Sequence, residues 1–249
     1  MHGLKRYAVL SCAFLALISC GKGNAGPDEI LWYDAPAEHW LEALPVGCSN
    51  LGAMVYGGVH REELQLNEET FWSGSPHNNN SPRALGSVDK VRKLIFEGRE
   101  AEAKELVDAD IITGPHGMCF LPAGSLFVDF NDTTSAQLYR RELNLRNAVN
   151  TTTYVQGTVS HYRTVFASLA DRVIVMHLES DSPSDFSIGF DAELEHSVEA
   201  DGYELVANVR GIELEGIPAG LDCEIRARVV GDGEIAADGE RLVVKGAKY

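Results

Sequence analysis

The chain has 249 residues, 45% of them hydrophobic, with a formal net charge of −16 and a pI near 4.8. That length allows one large domain or two small ones, with a sizeable core. The acidic balance argues against a nucleic-acid partner, which selects for clustered Lys and Arg, and it suits a protein that meets neutral ligands such as sugars.

Residues 1–20 have the features of a secretory signal. Lys5 and Arg6 are a basic start, and Tyr7 to Ile18 is an apolar run of 12 residues, short for a membrane-spanning helix. The run ends in Leu17-Ile18-Ser19-Cys20, which resembles the lipobox of bacterial lipoproteins, where the signal is cut before the Cys and the new terminus is lipidated. Cys20 is therefore the expected lipidation site, and acyl chains there would tether the protein to a leaflet. The only membrane contact expected is that anchor. Gly21-Lys22-Gly23-Asn24 has no acidic run, so an outer-membrane lipoprotein on the periplasmic side is expected rather than one at the cell surface. Residues 21–30 are a flexible tether by composition.

Ala53 to Tyr56 and Glu63 to Asn67 are strand candidates around the Gly57-Gly58 turn. Residues 75–82 are a polar loop. Two helices are expected next, near residues 87–109. The first spans about 87–96, with Ser87 as N-cap, Val91, Leu94 and Ile95 on one face and Gly98 as its end. The second spans about 99–109 and buries Ala103, Leu106 and Val107. From Gly114 onward the pattern is β. Strand candidates are 126–130, 139–145, 149–155, 159–166, 173–178, 186–190, 203–209, 213–217, 223–230 and 242–244, separated by turn signals such as Gln156-Gly157 and Asp201-Gly202. Many strands with frequent turns, and no βαβ alternation, predict a mainly β fold: a large antiparallel β-sandwich with a two-helix insertion.

Five cysteines occur, two of them in the signal segment. Cys48, Cys119 and Cys223 remain, an odd and widely spaced set that is no disulfide framework. No metal-ligand spacing and no phosphate-binding Gly loop appears, so no cofactor and no metal are implied. Gly47-Cys-Ser-Asn-Leu-Gly52 comes close to a nucleophile elbow, but the second Gly is one residue late and no helix follows. Glycoside hydrolysis ordinarily needs two facing carboxyl groups. Glu68 and Glu69 are adjacent, and on a strand they point to opposite faces. The segment from Asn67 to Gly74 combines an aromatic ring with amide, hydroxyl and carboxylate groups, the mix that sugars bind. Asn67, Glu68, Thr70, Trp72, Ser73 and Gly74 are the candidate substrate-binding or domain-interface residues. Trp72 as a core anchor, with Asn67 and Ser73 satisfying turn backbone, is the competing reading.

Ala43-Leu-Pro-Val-Gly-Cys-Ser-Asn-Leu-Gly-Ala-Met-Val-Tyr-Gly-Gly58 and Glu63 to Pro76 resemble the opening of the family 95 glycoside hydrolases, whose best-known members are α-L-fucosidases. Leu121 to Leu126, Tyr139 to Leu145 and Tyr162 to Ser168 extend the resemblance, in order, over residues 31–249. It implies an N-terminal β-sandwich of enzymes that release terminal α-L-fucose, or the related L-galactose, with inversion. Their acid and water-activating residues reside in a later toroid of paired helices. No catalytic residue is therefore assigned to this chain. The expectation is a non-catalytic, C-terminally incomplete sandwich domain over 31–249, inactive by itself and linked to fucosylated glycans through a catalytic domain missing or encoded separately. A stand-alone carbohydrate-binding lipoprotein is the alternative. Where the family usually has Gly-Asn-Gly-x-Leu-Gly, this chain has the sequence from Gly47 to Gly52, so an amide at an expected interface turn is replaced.

Overall fold

The computed structural model describes residues 26, 29–112, 114 and 117–248. The expected signal segment with Cys20, and most of the expected tether, lie outside them. Four strands, β1 (Ile30–Tyr33), β2 (Leu44–Cys48), β3 (Leu51–Val55) and β4 (Arg61–Glu68), precede two helices, α1 (Ala84–Phe96) and α2 (Glu100–Asp110). Eleven strands follow: β5 (Gly124–Phe130), β6 (Ala136–Asn144), β7 (Val149–Gln156), β8 (Val159–Ser168), β9 (Val173–Ser180), β10 (Ser184–Asp191), β11 (His196–Asp201), β12 (Glu204–Arg210), β13 (Asp222–Arg228), β14 (Glu234–Asp238) and β15 (Arg241–Ala247).

These strands form three antiparallel sheets. Seven run in the order β14-β15-β10-β5-β4-β3-β2, five in the order β1-β6-β7-β8-β9, and three in the order β11-β12-β13. The register places Leu64 opposite Leu126, Val128 opposite Ile188, and Ile188 opposite Leu242. In paired strands, opposed residues and alternate residues share a face, so all five side chains point to one side of the seven-stranded sheet. Both smaller sheets cover that side. At one end Leu44, Val46, Ala53, Val55 and Leu64 pack on Leu143 and Val165 of the five-stranded sheet. At the other, Phe186, Ile188, Leu242 and Val244 pack on Val198, Leu205 and Ala207 of the three-stranded sheet. Leu126 and Met176 touch both cores. The expected antiparallel sandwich is thus present.

Beside the first core the interior is polar. On β7 the buried residues are Asn150, Thr152, Tyr154 and Gln156, while Val149 and Val155 are half-buried. Arg163 of β8 reaches across to β4, 3.2 Å from Glu62, with both side chains almost fully buried. Its guanidinium also donates to the Val59 carbonyl at 2.9 Å, to the Gly58 carbonyl and to the Tyr154 hydroxyl. Glu62 accepts from the Gly57 N–H at 2.7 Å, and the Tyr139 hydroxyl donates to the Gly57 carbonyl at 2.6 Å. Gly57 has φ +74°, and a Cβ there would fall 2.5 Å from the Tyr139 hydroxyl. Only glycine fits that turn.

Three local expectations are corrected. Ser87 is not the N-cap of α1. The helix begins at Ala84 after Arg83, and Ser87 is buried inside it, donating to Asp110 Oδ2 at 2.6 Å. Arg83 holds the other oxygen of Asp110 at 2.9 Å, so the carboxylate fastens the start of α1 to the end of α2. Ile95, expected on the buried face, is exposed, whereas Val91 and Ala103 are buried. Residues 213–217 form no strand: Leu214 and Ile217 bridge across a tight turn with Glu215 and Gly216 at positive φ.

Candidate functional site

The segment Asn67 to Gly74 leaves β4 and turns along the end of the sandwich. Phe71 is buried against Leu121 and Val209, and its carbonyl accepts from the Leu121 N–H at 2.9 Å. Alternation then turns Trp72 outward and Ser73 inward. Ser73 is buried and doubly tied to Cys119: its N–H donates to the Cys119 carbonyl, and its Oγ accepts from the Cys119 N–H, both at 2.9 Å. Gly74 has φ +68°, and a Cβ there would sit 2.2 Å from the Met118 sulfur. Its N–H and carbonyl pair with Ile212 and Gly220, each at 2.8 Å. Two loops, distant in sequence, therefore clamp this turn: that between α2 and β5 and that between β12 and β13.

Glu68 is committed to the same turn. Its carboxylate accepts from Asn50 Nδ2 at 2.5 Å, from the Thr70 N–H at 2.8 Å and from Thr70 Oγ1 at 2.5 Å. Partial burial raises its pKa, but the hydrogen bonds from Thr70 and Asn50 prevail and hold it below the ordinary 4.5. A depressed folded pKa gives stability that is present above the unfolded value and lost as pH falls through the folded one. Acidification below the ordinary value of 4.5 is therefore expected to loosen the turn and shift the Trp72 fluorescence. The part of that acid transition carried by Glu68 should be missing in Glu68→Gln. An identical titration in parent and variant would refute this role.

Of the six candidates, Thr70 and Trp72 are exposed, and Trp72 is the aromatic one. It is 44% exposed, and its indole N–H is used on the Glu69 carbonyl at 2.7 Å. Its ring meets Phe120 edge-on at 5.4 Å between centroids, and Phe120 is 43% exposed. The pair forms a small, partly exposed apolar ridge, the kind of surface that a sugar or a protein packs against. Asn67 is half-buried opposite Gly52. Phe120 was not among the residues singled out from sequence, because its place depends on a bridge across a gap of many residues.

The Gly47–Gly52 stretch is a two-residue hairpin: Cys48 pairs with Leu51, and Ser49 sits at φ 49°. That differs from the strand-to-helix turn that exposes a nucleophilic serine. Cys48, Cys119 and Cys223 are free thiols. Burial, then the nearby Glu68 charge, push the Cys223 thiol up, which keeps it protonated and poorly nucleophilic at neutral pH.

Asn67, Glu68 and Cys223 border one end of a groove of about 710 Å³. Its floor is apolar, made of aliphatic side chains with Phe130 and Phe186. Glu224 at its edge is paired with Arg226 at 2.7 Å, and Glu68 is spent on the turn. Of the three carboxylates along the groove, Glu68 and Glu224 are committed to these partners, whereas Glu179 is exposed.

A family model described as the N-terminal domain of glycosyl hydrolase family 65 matches residues 31–249. Alpha-L-fucosidase 2 of Arabidopsis thaliana is 35% identical over 175 residues, covering 68% of this chain and 20% of the plant protein. Two proteins named probable alpha-fucosidase A are each 27% identical: that of Aspergillus niger over 162 residues (61% of this chain, 20% of the relative) and that of Aspergillus oryzae over 223 (86% and 31%). The chain therefore spans 20–31% of the length of these curated relatives. Their fucosidase names agree with the family 95 resemblance, although the matching model carries the number 65.

Proposed function

The chain belongs to the glycosyl hydrolase family 65 N-terminal domain family, and from that premise we propose that it supplies the non-catalytic β-sandwich of an α-L-fucosidase-like glycoside hydrolase acting on terminal α-L-fucose of glycans. The observation that carries this reading is the match to fucosidases over a stretch that is 20–31% of their length. It is supported by a sandwich in which one groove carboxylate, Glu68, is spent on a turn. In this reading the sandwich shapes and stabilises a neighbouring catalytic domain, and the Trp72–Phe120 ridge meets that domain or the rim of its sugar pocket. Cys20 anchors the protein to the outer membrane on its periplasmic side; a Cys20→Ala protein that still partitions with membranes would refute the anchor.

The test is a chimaera. The aligned region of the Arabidopsis relative is replaced by the matching residues of this chain and assayed on an aryl α-L-fucoside, beside this chain alone. Turnover by the chimaera and none by the chain alone is expected. A folded but inactive chimaera, or turnover by the chain alone, would overturn the assignment. The exposed Trp72–Phe120 pair favours one second reading, a stand-alone carbohydrate-binding lipoprotein. Titration of fucosylated oligosaccharides against Trp fluorescence separates the two: saturable binding lost in Trp72→Ala supports the binding module.

A further inference from the structure

A second pocket, of about 300 Å³, lies at the opposite end of the sandwich from Trp72. Trp72 follows the end of β4, whereas Arg61 at the start of β4 pairs with Asp129 near the end of β5. The pocket walls come from the three turns at this end, β5 to β6, β7 to β8 and β9 to β10. Hydrogen bonds fix those turns to one another. The Asn131 N–H donates to the Asp185 carbonyl at 3.3 Å, which ties the first to the third. Gln156 Nε2 donates to the Thr134 carbonyl at 2.7 Å, which ties the second to the first. The Asp132 carbonyl lies 2.8 Å from Nδ1 of His60, in the turn before β4. The pocket is therefore shaped before any ligand arrives, as small-molecule sites usually are.

Its polar groups are graded by exposure. Asp132 and Asp185 are exposed at the rim, and each has one oxygen engaged, on the Thr134 N–H and the Gly246 N–H. The less exposed polar groups are uncharged: Gln156 is buried and Ser184 half-buried, beside the apolar Phe130 and Val159. His161 is half-buried in the wall and stacks on Tyr154 at 4.7 Å between centroids. Burial lowers its pKa below the ordinary 6.5, helped by Arg163 and opposed by Asp132 and Asp181, so the imidazole is neutral at pH 7. Its Nε2 is shut from solvent and has no hydrogen-bond partner among the described residues. A buried nitrogen for which the protein supplies no partner marks a place completed by water or ligand. No Lys or Arg lines the pocket.

We propose that this pocket binds one neutral sugar residue, a glycan contact separate from the Trp72–Phe120 ridge and independent of whether the sandwich serves a catalytic domain. The chemistry of the lining selects the ligand. An ammonium that entered would shed its hydration among uncharged groups, leaving the carboxylates behind at the wet rim. A phosphate would meet no cation and would pass two carboxylates on the way in. A pyranose has hydroxyls that both donate and accept, and C–H faces that pack on apolar side chains. Gln156 and Ser184 converge as amide and hydroxyl, Asp132 and Asp185 are acceptors at the rim, and Phe130, Val159 and Pro183 are the apolar wall. The volume is at the small end for ligand pockets, which suits a single ring rather than a chain of sugars.

The experiment is an NMR titration of the isotopically labelled, purified chain at pH 7 with four probes: L-fucose, D-galactose, ethylammonium and inorganic phosphate. At least one sugar is expected to shift the backbone amides of Gln156, His161 and Ser184 saturably, with a Kd of about 1–10 mM, the affinity ordinary for so small a ligand. Neither ion should do so. Gln156→Met keeps the size of the side chain and removes its amide, so it should weaken the sugar about tenfold, the worth of one good hydrogen bond. If that variant does not fold, the shift map of the parent still decides. No saturation by about 100 mM sugar, well above the expected Kd, overturns the proposal. So does an unchanged Kd in folded Gln156→Met. Saturable shifts centred on Trp72 would assign the sugar to the ridge, and tighter binding of either ion would assign the pocket to a charged ligand; each likewise overturns it.

Discussion

Replacing Arg163 with methionine is expected to lower the unfolding free energy by about 3–5 kcal/mol, the cost of stranding one member of a buried ion pair. Urea titration followed by circular dichroism reads the change. The size follows from what the guanidinium holds. Arg163 belongs to the five-stranded sheet and Glu62 to the seven-stranded one, and the same group fixes the carbonyls of the Gly57–Val59 turn. Its loss leaves Glu62, Tyr154 and two carbonyls short of a partner inside the protein. Glu62→Leu combined with Arg163→Met removes both charges and should recover much of the deficit, since a buried pair is weakly stabilising against an apolar replacement. The pH dependence has a definite sign. Burial already raises the Glu62 pKa above the ordinary 4.5, with Arg163 and the Gly57 N–H restraining the rise. Without Arg163 it rises further. A raised folded pKa gives stability that is present below the unfolded value and lost as pH rises through the folded one. The deficit of Arg163→Met should therefore be largest at neutral pH and shrink toward pH 5. A deficit below about 1 kcal/mol, the range of an exposed pair, would show that water reaches this site.

That network also marks where sequence pattern stops being informative. Alternation in 126–130 and 159–166, and the more continuous apolar run of 173–178, reveal strands because each has one face on an apolar core. The alternation of β7 is visible too, yet its buried face is Asn150, Thr152, Tyr154 and Gln156, with Tyr154 bonded to Arg163 and Gln156 to the Thr134 carbonyl, and nothing within β7 announces those partners. β2 is obscured by Pro45 and Gly47, which an edge strand tolerates and a central strand does not. β14, mostly exposed at the opposite edge, carries little apolar signal. Residues 213–217 alternate well enough to imitate a strand, but the positive φ of Glu215 and Gly216 folds them into a turn.

The candidate site divides in the same way. The stretch from Asn67 to Gly74 stands out because aromatic, amide and hydroxyl groups crowd eight consecutive positions. Whether each group faces solvent is a tertiary matter. Ser73 is locked to Cys119 and Glu68 to Thr70 and Asn50, whereas Trp72 gains Phe120 as an exposed companion. The groove is still less legible. β9 and β13 lie far apart in the chain and become facing walls only because two separate sheets settle on one face of a third.

Leu242→Ala tests whether those two cores are equally closed. Leu242 is fully buried on β15, paired with Ile188 on one side and Ala237 on the other. Its own strand, β15, is paired on both flanks, which limits how far the site can collapse around the missing atoms. A loss of about 3–5 kcal/mol is expected, the upper part of the range for leucine truncation, measurable by the same urea titration. Met176 is the contrasting position. It touches both cores but lies on the groove wall, half-buried. Truncation there removes less buried area and opens the space to an existing groove rather than to a sealed void. Met176→Ala should cost about half as much, roughly 1.5–2.5 kcal/mol. The comparison decides between two states of the protein in solution. Unequal costs mean that the groove stands open between the sheets. Equal costs mean that something fills or closes it, because only a covered Met176 would lose as much on truncation as a residue buried between two paired sheets.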